Sequence, residues 1–456
     1  MVDFKKKCSI KHIKSMKFFF RIFVALTILF SIFLFSTFDF TNKQFNLSKI
    51  AKIVPKISIS YFFKKNASEF IDFDFSIVKE KEYLLKNDKV EFKKFSNFIL
   101  QNKYYLTQNK EDIFAVTNKG DLFFYSKKEI LNKEKIELKK IKTNIDKIID
   151  KKYIELNINI IKGILIVNDK IYLSYVGENN GCYDNAILEG NLNNKKIEFL
   201  PFVNLDECKN KFNIWQGGNM EIFKNNKILF TAGDYGSFQD PQNQNSYYGK
   251  ILSIDLDTKS IDMISMGHRN PQGLFYDSKN DIIFSTEHGP QGGDEINVNV
   301  NPNKNKIINY GWPISSGGEH YGFDENFSEN YSQMVKNDPS LKEEKYELAP
   351  LHKSHKKYGF EEPIKSFTPS IGITQILRVN NSINDDYKLI VGSMGWNKEE
   401  DDMTVHILNF DKNFQETQYQ KIYIGERIRD IIDLNDGSVL MTLESSGSFG
   451  ILKNIY

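Results

Sequence analysis

The chain has little net charge, little cysteine and little alanine. Its 456 residues carry 61 Lys and Arg against 59 Asp and Glu, a balance of +2. Residues 1–39 hold seven Lys or Arg and two Asp, hence +5, which leaves −3 for residues 40–456. That remainder has no basic footprint for a phosphate backbone, so nucleic acid is not expected as a partner. Alanine is sparse beside abundant Lys, Asn, Ile and Phe. Codon supply accounts for that bias as well as selection does, so no single lysine carries an argument.

Charge is missing altogether from Ile22 to Phe38. At 1.5 Å per residue that run spans roughly 25 Å, and Phe18–Phe20 lengthen it while Arg21 snorkels. Lys5, Lys6, Lys7, Lys11, Lys14 and Lys17 precede it. Residues 1–17 are therefore expected to stay cytoplasmic, 18–39 to form a transmembrane signal-anchor, and the rest to lie on the periplasmic side. A cleaved signal peptide is the rival. Its apolar core is usually shorter and ends in small residues, whereas this one ends Phe35-Ser36-Thr37-Phe38-Asp39.

The 3 cysteines follow from that division. Cys8 falls on the cytoplasmic side, where thiols stay reduced. Cys182 and Cys208 fall in the exported part, in polar, turn-rich surroundings. They have no Cys or His neighbours with which to build a zinc site, and a Cys182–Cys208 disulfide is predicted.

What is present is β-forming sequence. Aromatics make up 14% of the chain, with many Ile, Tyr and Phe. Residues 40–85 show no clear period and read as a tether. From about residue 95 a unit recurs: an apolar segment, a polar turn, a second apolar segment and a loop. Tyr104–Leu106 turns into Ile113–Val116, Ile164–Val167 into Ile171–Leu173, and Met220–Phe223 into Ile228–Phe230. Gly273–Tyr276 turns into Ile282–Ser285, Ile376–Val379 into Lys388–Val391, and Ile431–Leu434 into Val439–Met441. The turns stand about fifty to sixty residues apart, with one gap near one hundred, which is the spacing of propeller blades. Six turns predict an all-β, six-bladed β-propeller over residues 86–456, with the polar stretch 314–365 as an insertion after the fourth blade. A pair of β-sandwiches is the alternative architecture.

The most unusual stretch is Met266–Pro313. It reads Gly-His-Arg-Asn-Pro-Gln-Gly at 267–273, then a hairpin, then Glu-His-Gly-Pro-Gln-Gly-Gly-Asp-Glu-Ile-Asn at 287–297, then Asn-Tyr-Gly-Trp-Pro at 309–313. A hairpin that presents Arg269, Asn270 and two histidines at its ends has the composition of a site; the blander reading is turn-shaping Gly and Pro with solvated charges. Near the C-terminus, Arg427 and Arg429 at i, i+2 of a strand point the same way and can fork a carboxylate. Surface pairing with Glu426 and Asp430 is the competing reading.

These ordered motifs resemble the glucose/sorbosone dehydrogenase family, soluble sugar dehydrogenases that use pyrroloquinoline quinone (PQQ). The resemblance covers residues 160–456 and also implies six blades. It implies that Arg269, Asn270, Arg427 and Arg429 contact PQQ, and that the carbonyls of Gly289 and Pro290 bind the calcium ion (Ca2+) that holds and polarises it. Glu295 and Tyr310, with Asp294 adjacent, match residues around a second, structural calcium. The implied substrate is an aldose or related polyol; the electron acceptor is not specified.

Two positions depart from the family. Its general base is a His that opens a Gly-Gly-Arg run, and here the run is Trp215-Gln216-Gly217-Gly218-Asn219. Trp215 cannot take a proton. The family's Lys on the quinone falls at Gly395. His268 and His288 flank the pocket and are the candidate replacement bases, with satisfied structural histidines as the alternative. A propeller that has lost the reaction and binds a sugar, glycan or protein partner is the second functional reading. In a third, the Trp215 ring stacks on a sugar face in a pocket for a different ligand.

Overall fold

The computed structural model describes residues 38–39, 44–45, 73–85, 88–97, 102–149, 160–179, 181–210, 212–290, 292–318, 351–379, 387–395 and 402–455. Residues 1–68 and 69–456 are separate compact units. In the first, Phe38–Asp39 pairs antiparallel with Gln44–Phe45. The basic segment 1–17, Cys8 and the anchor 18–39, apart from Phe38–Asp39, lie outside the described residues. Among the described residues no helix is long and apolar enough to cross a membrane.

The second unit is built from antiparallel meanders, and the predicted hairpins are their inner strand pairs. The first sheet runs Tyr104–Gln108, Asp112–Thr117, Leu122–Ser126 and Lys135–Thr143; the second Ile161–Val167, Lys170–Asn179, Cys182–Asn191 and Phe199–Asn204. The third runs Gly217–Phe223, Lys227–Ala232, Lys250–Asp255 and Ile261–Met266; the fourth Pro271–Asp277, Ile282–Glu287, Asp294–Val300 and Lys365–Phe367. The fifth runs Ile373–Val379, Tyr387–Ser393, Thr404–Phe410 and Glu416–Tyr423. The last joins Ile428–Asp433, Val439–Leu443 and Ser448–Lys453 to the N-terminal strand Asp88–Ser96. Their tight turns use residues that tolerate positive φ, including Asn168 (55°), Asn226 (57°) and Asp281 (53°).

The meanders form a ring. The first strand of each sheet lies against the first strand of the next, and Ile428–Asp433 returns to Tyr104–Gln108. Apolar clusters fill the gaps in the same cyclic order. Ile164 and Leu188 pack on Phe114 and Val116, Phe230 on Tyr172, and Leu274 on Phe223. Ile376 packs on Phe284, Ile431 on Ile390, and Phe449 on Phe123. Inner strands are therefore covered on both faces, and every residue of Ile282–Glu287 is buried. In the outer strand Glu416–Tyr423 only Ile422 is. This closed arrangement of sheets is consistent with a propeller.

Two boundaries differ from the sequence reading. The segment taken as a tether joins the sheets at Phe73, because Phe73–Leu85 pairs with both Asp88–Ser96 and Lys135–Thr143. Its side chains are mostly exposed and only Phe75 is buried, so backbone pairing rather than an apolar period makes it a strand. The stretch 314–365 sits inside the fourth sheet, between Asp294–Val300 and Lys365–Phe367, rather than after it. Residues 319–350 lie outside the described residues.

Candidate active site

The inner strands begin on one face of the ring, and the loops leading into them carry the unusual residues. In the fourth sheet Pro271 lies opposite Glu287, so the two ends of the Met266–Pro313 hairpin meet. Two bonds tie them together: His288 N–H donates to Asn270 O (3.1 Å), and Arg269 N–H to the Glu287 carboxylate (2.9 Å).

Arg269 crosses between these ends. Its guanidinium donates to His288 O (3.1 Å) and Gly289 O (2.8 Å). It also lies 4.3 Å from the centre of the Trp215 ring and 5.4 Å from that of Trp312. Each such contact is worth roughly 0.5–2 kcal/mol, more as water is removed. Trp312 is held in turn by its indole N–H donating to buried Asp234 (2.8 Å). Burial pushes the Asp234 carboxyl up to about 7, while Arg269 pulls it down. Trp215, at the family's base position, thus presents its ring to an arginine.

Asn270 accepts from Gly217 N–H (3.2 Å) and from the Gln272 amide (3.0 Å). Gly217 and Gly218 have φ of 64° and 103°, and a Cβ on Gly218 would overlap the stem of Lys162. The double glycine is therefore a steric requirement of this turn. Asn219 donates to Gln272 O (2.8 Å) and Gln375 Oε1 (3.1 Å), linking the third, fourth and fifth sheets.

Both histidines are held structurally through Nε2, while His268 Nδ1 is buried without a hydrogen-bond partner. His268 is fully buried, and its Nε2 lies 2.7 Å from Ser265 Oγ. Burial depresses it to about 3, so it is neutral, and its 3.4 Å approach to Glu287 is not an ion pair. His288 Nε2 donates to Ile373 O (2.6 Å), which leaves Nδ1 facing the Asn270 amide at 3.4 Å. Burial lowers its pKa as well. His268 is fully buried and His288 bonds through both ring nitrogens, so neither imidazole is set out as an exposed base.

The expected calcium ligands Gly289, Pro290, Glu295 and Tyr310 all line one small pocket, which Arg269, Glu287 and Trp312 share. Gly289 O accepts from Arg269, and Pro290 O accepts from Gly293 N–H (2.9 Å) and Ser370 Oγ (3.3 Å). Pro290 O is filled by its two bonds, whereas Gly289 O, with one, keeps a lone pair that a calcium ion could take. Asp294 accepts from the Ile371 (3.1 Å) and Ile373 (3.0 Å) amides. Glu295 lies opposite Glu287 across the strands, both buried, and the pair lines the same pocket with Tyr310, Ser315 and Ser316. Burial pushes Glu287 up to about 7 and Glu295 to about 8, so the pair holds a proton where a cation could substitute. These hard oxygens fit calcium by donor type. Tyr310 contributes lining only, since its hydroxyl donates to Val298 O (2.8 Å) and its carbonyl faces His355 (3.0 Å). Among the described residues no group of three or more His, Cys, Asp or Glu forms a metal cluster.

Arg427 and Arg429 pair with neither of the adjacent acids of the competing reading. Glu426 pairs with Lys94, and Asp430 accepts from Leu106 N–H (2.7 Å). Both arginines converge on Glu444, Arg427 at 3.4 Å and Arg429 Nε at 2.7 Å, and Lys103 joins at 3.0 Å. Arg427 also donates to Met394 O (3.0 Å) and Gly395 O (3.1 Å), so the residue at the family's lysine position holds an arginine through its backbone. Glu444 escaped the sequence reading, yet the hairpin turn at Asp436-Gly437 contained the signal. Extending the register from that turn puts Glu444 opposite Ile428, between the two arginines; a bulge at Arg429 shifts the pairing by one, so that Ile428 faces Leu443 and Glu444 lies beside Arg427. The guanidiniums fit a polycarboxylate such as PQQ by charge and shape. Cys182 and Cys208 are joined by a disulfide.

The glucose/sorbosone dehydrogenase profile matches residues 165–452. The chain belongs to the glucose/sorbosone dehydrogenase family. Within it, the aldose sugar dehydrogenase of Escherichia coli (strain K12) is 30% identical over 187 residues, 40% of this chain and 41% of that protein. The crystal structure of the soluble aldose sugar dehydrogenase from Escherichia coli in its apo form superposes with a TM-score of 0.57 at 18% identity, covering 80% of this chain and 99% of that one. The PQQ-bound aldose sugar dehydrogenase from Streptomyces coelicolor gives 0.55 at 14%, covering 83% and 99%. At those identities the structures establish a shared fold. The chain spans about half, or less, of the length of the curated family relatives it matches.

Proposed function

We propose that this chain is a PQQ-dependent aldose dehydrogenase-like protein with a six-bladed propeller, exported and held at the membrane by residues 18–39. The observation that carries the reading is the grouping of the family's cofactor positions. Arg269 and Asn270 lead into the inner strand of the fourth sheet and Arg427 into that of the last, with the inner strand of the fifth packed against both; Asn270 touches His288, and Arg427 is tied to Arg429 through Glu444. Arg269, Arg427 and Arg429 would hold the carboxylates of the quinone, and Asn270 would orient it. When bound, PQQ supplies a two-electron acceptor for oxidation of a sugar or polyol hydroxyl. Calcium is proposed in the Glu287–Glu295 pocket beside Tyr310. A calcium that also reached Gly289 would use that carbonyl's second lone pair, whereas Pro290 would first have to release Gly293 or Ser370. The uncharged run from Ile22 and the basic segment before it support an anchor with a cytoplasmic N-terminus.

A binding propeller without turnover is the second reading. It is favoured by one local fact: Trp215 stands where the proton acceptor belongs, and His268 and His288 are both engaged. Calorimetric titration of the purified full chain with PQQ, with and without calcium, tests the first reading, followed by an aldose panel with a dye acceptor. Binding with aldose-dependent dye reduction is expected if it holds. Absence of PQQ binding leaves the binding propeller.

A further inference from the structure

Four cations converge where the inner strands of the last, first and second sheets begin. Lys103 precedes Tyr104–Gln108, Lys162 lies in Ile161–Val167, and Arg427 and Arg429 lead Ile428–Asp433, strands that are neighbours in the ring. Glu444 is shared by Lys103, Arg427 and Arg429. Lys162 has no acid partner among the described residues, and its stem packs on Gly218 beside the Asn270-bound turn. Surplus like charge in a half-buried space is unfavourable unless an anion completes it.

We propose that Lys162 is an anion-binding residue: with Lys103, Arg427 and Arg429 it forms a site for a planar polycarboxylate and supplies the charge that Gly395 lacks. The identity of the natural ligand as PQQ rests on the functional reading above; the site itself does not. Burial lowers the Lys162 ammonium to about 7, with Arg429 and then Lys103 adding repulsion. An arriving anion offsets that repulsion, so binding above neutrality takes up a proton on Lys162.

The groups facing Lys162 are Arg429 and Lys103, with Glu444 behind them. Asp430, raised to about 7 by burial, titrates in the same window and needs its own control. The probe is benzene-1,3,5-tricarboxylate, whose carboxyls stay ionised from pH 6.5 to 8.5, titrated calorimetrically into the full chain. Wild type and Asp430→Asn should bind roughly tenfold more weakly at pH 8.5 than at 6.5, with proton uptake in buffers of different ionisation enthalpy. Lys162→Arg should bind tightly at both pH values without proton uptake. Lys162→Met, which keeps the stem on Gly218, should bind weakly at both, and an unchanged melting temperature would show that it folds. The proposal is overturned if wild type does not bind the probe, or if Lys162→Met binds it as wild type does. Lys162-dependent probe binding without PQQ binding would sustain the site and remove PQQ as its ligand. PQQ binding indifferent to Lys162 would do the reverse.

Discussion

Replacing Glu444 by Gln removes the one anion that Lys103, Arg427 and Arg429 share. Glu444 is only 8% exposed, so burial by itself would raise its carboxyl. Arg429, then Lys103 and Arg427, outweigh burial and hold it at about 2 against an ordinary 4.5. A depression of that size corresponds to about 3 kcal/mol of stability. The share of Lys103, which is 36% exposed, is partly screened. Because the folded-state pKa is depressed, the contribution is complete above the unfolded value and fades as pH falls toward 2. Glu444→Gln should therefore cost about 3 kcal/mol at pH 7, and the gap to wild type should narrow to roughly half that near pH 3. Asp430 titrates in both proteins, so its effect largely cancels in the difference. Urea unfolding of both proteins across that range is the assay. A loss under about 1 kcal/mol at pH 7, or a loss independent of pH, would refute the idea that Glu444 neutralises the cluster.

Other substitutions probe separate parts of the structure. Cys182→Ser with Cys208→Ser opens a loop of sequence separation 26 and should cost about 3–4 kcal/mol by chain entropy, read as a lower melting temperature; equal melting with and without reductant would contradict it. Gly218→Ala meets both a φ of 103° and the Lys162 stem and should cost about 2–3 kcal/mol, whereas Gly181→Ala, at 82° in open space, should cost about 1. Equal losses at the two positions would show that the Lys162 contact is unimportant. Trp215→His places an imidazole at the family's base position, and PQQ-loaded protein should gain aldose oxidation on the order of a hundredfold in a dye assay. PQQ binding without any gain would show that Trp215 is not what limits turnover.

The fold was legible wherever it depended on local chemistry. Asn168, Asn226 and Asp281 mark turns because they tolerate positive φ, and the apolar runs around them became the inner strand pairs. Phe73–Leu85 was not legible, since its exposed, charged alternation carries no core signal and its pairing partners are distant in sequence. The insertion was found but misplaced by one strand, because Lys365–Phe367 is too short to register as a repeat unit. Part of the site was legible as motif, namely Arg269, Asn270, His288 and Gly289 at the two ends of one hairpin. Arg427 and Arg429 were visible, but the acids weighed as alternative partners were the adjacent Glu426 and Asp430 and not Glu444.

By itself, then, the sequence determined the hairpins, their spacing, the motif-bearing loops and the family, all encoded within a few tens of residues. Tertiary structure decided what those loops do to one another. It set Arg269 between Trp215 and Trp312, gave Glu444 three cations, and left Lys162 without an acid partner among the described residues. The reason is geometric: closing strands into a ring brings together side chains hundreds of residues apart, and burial there fixes their charge. No local pattern encodes that.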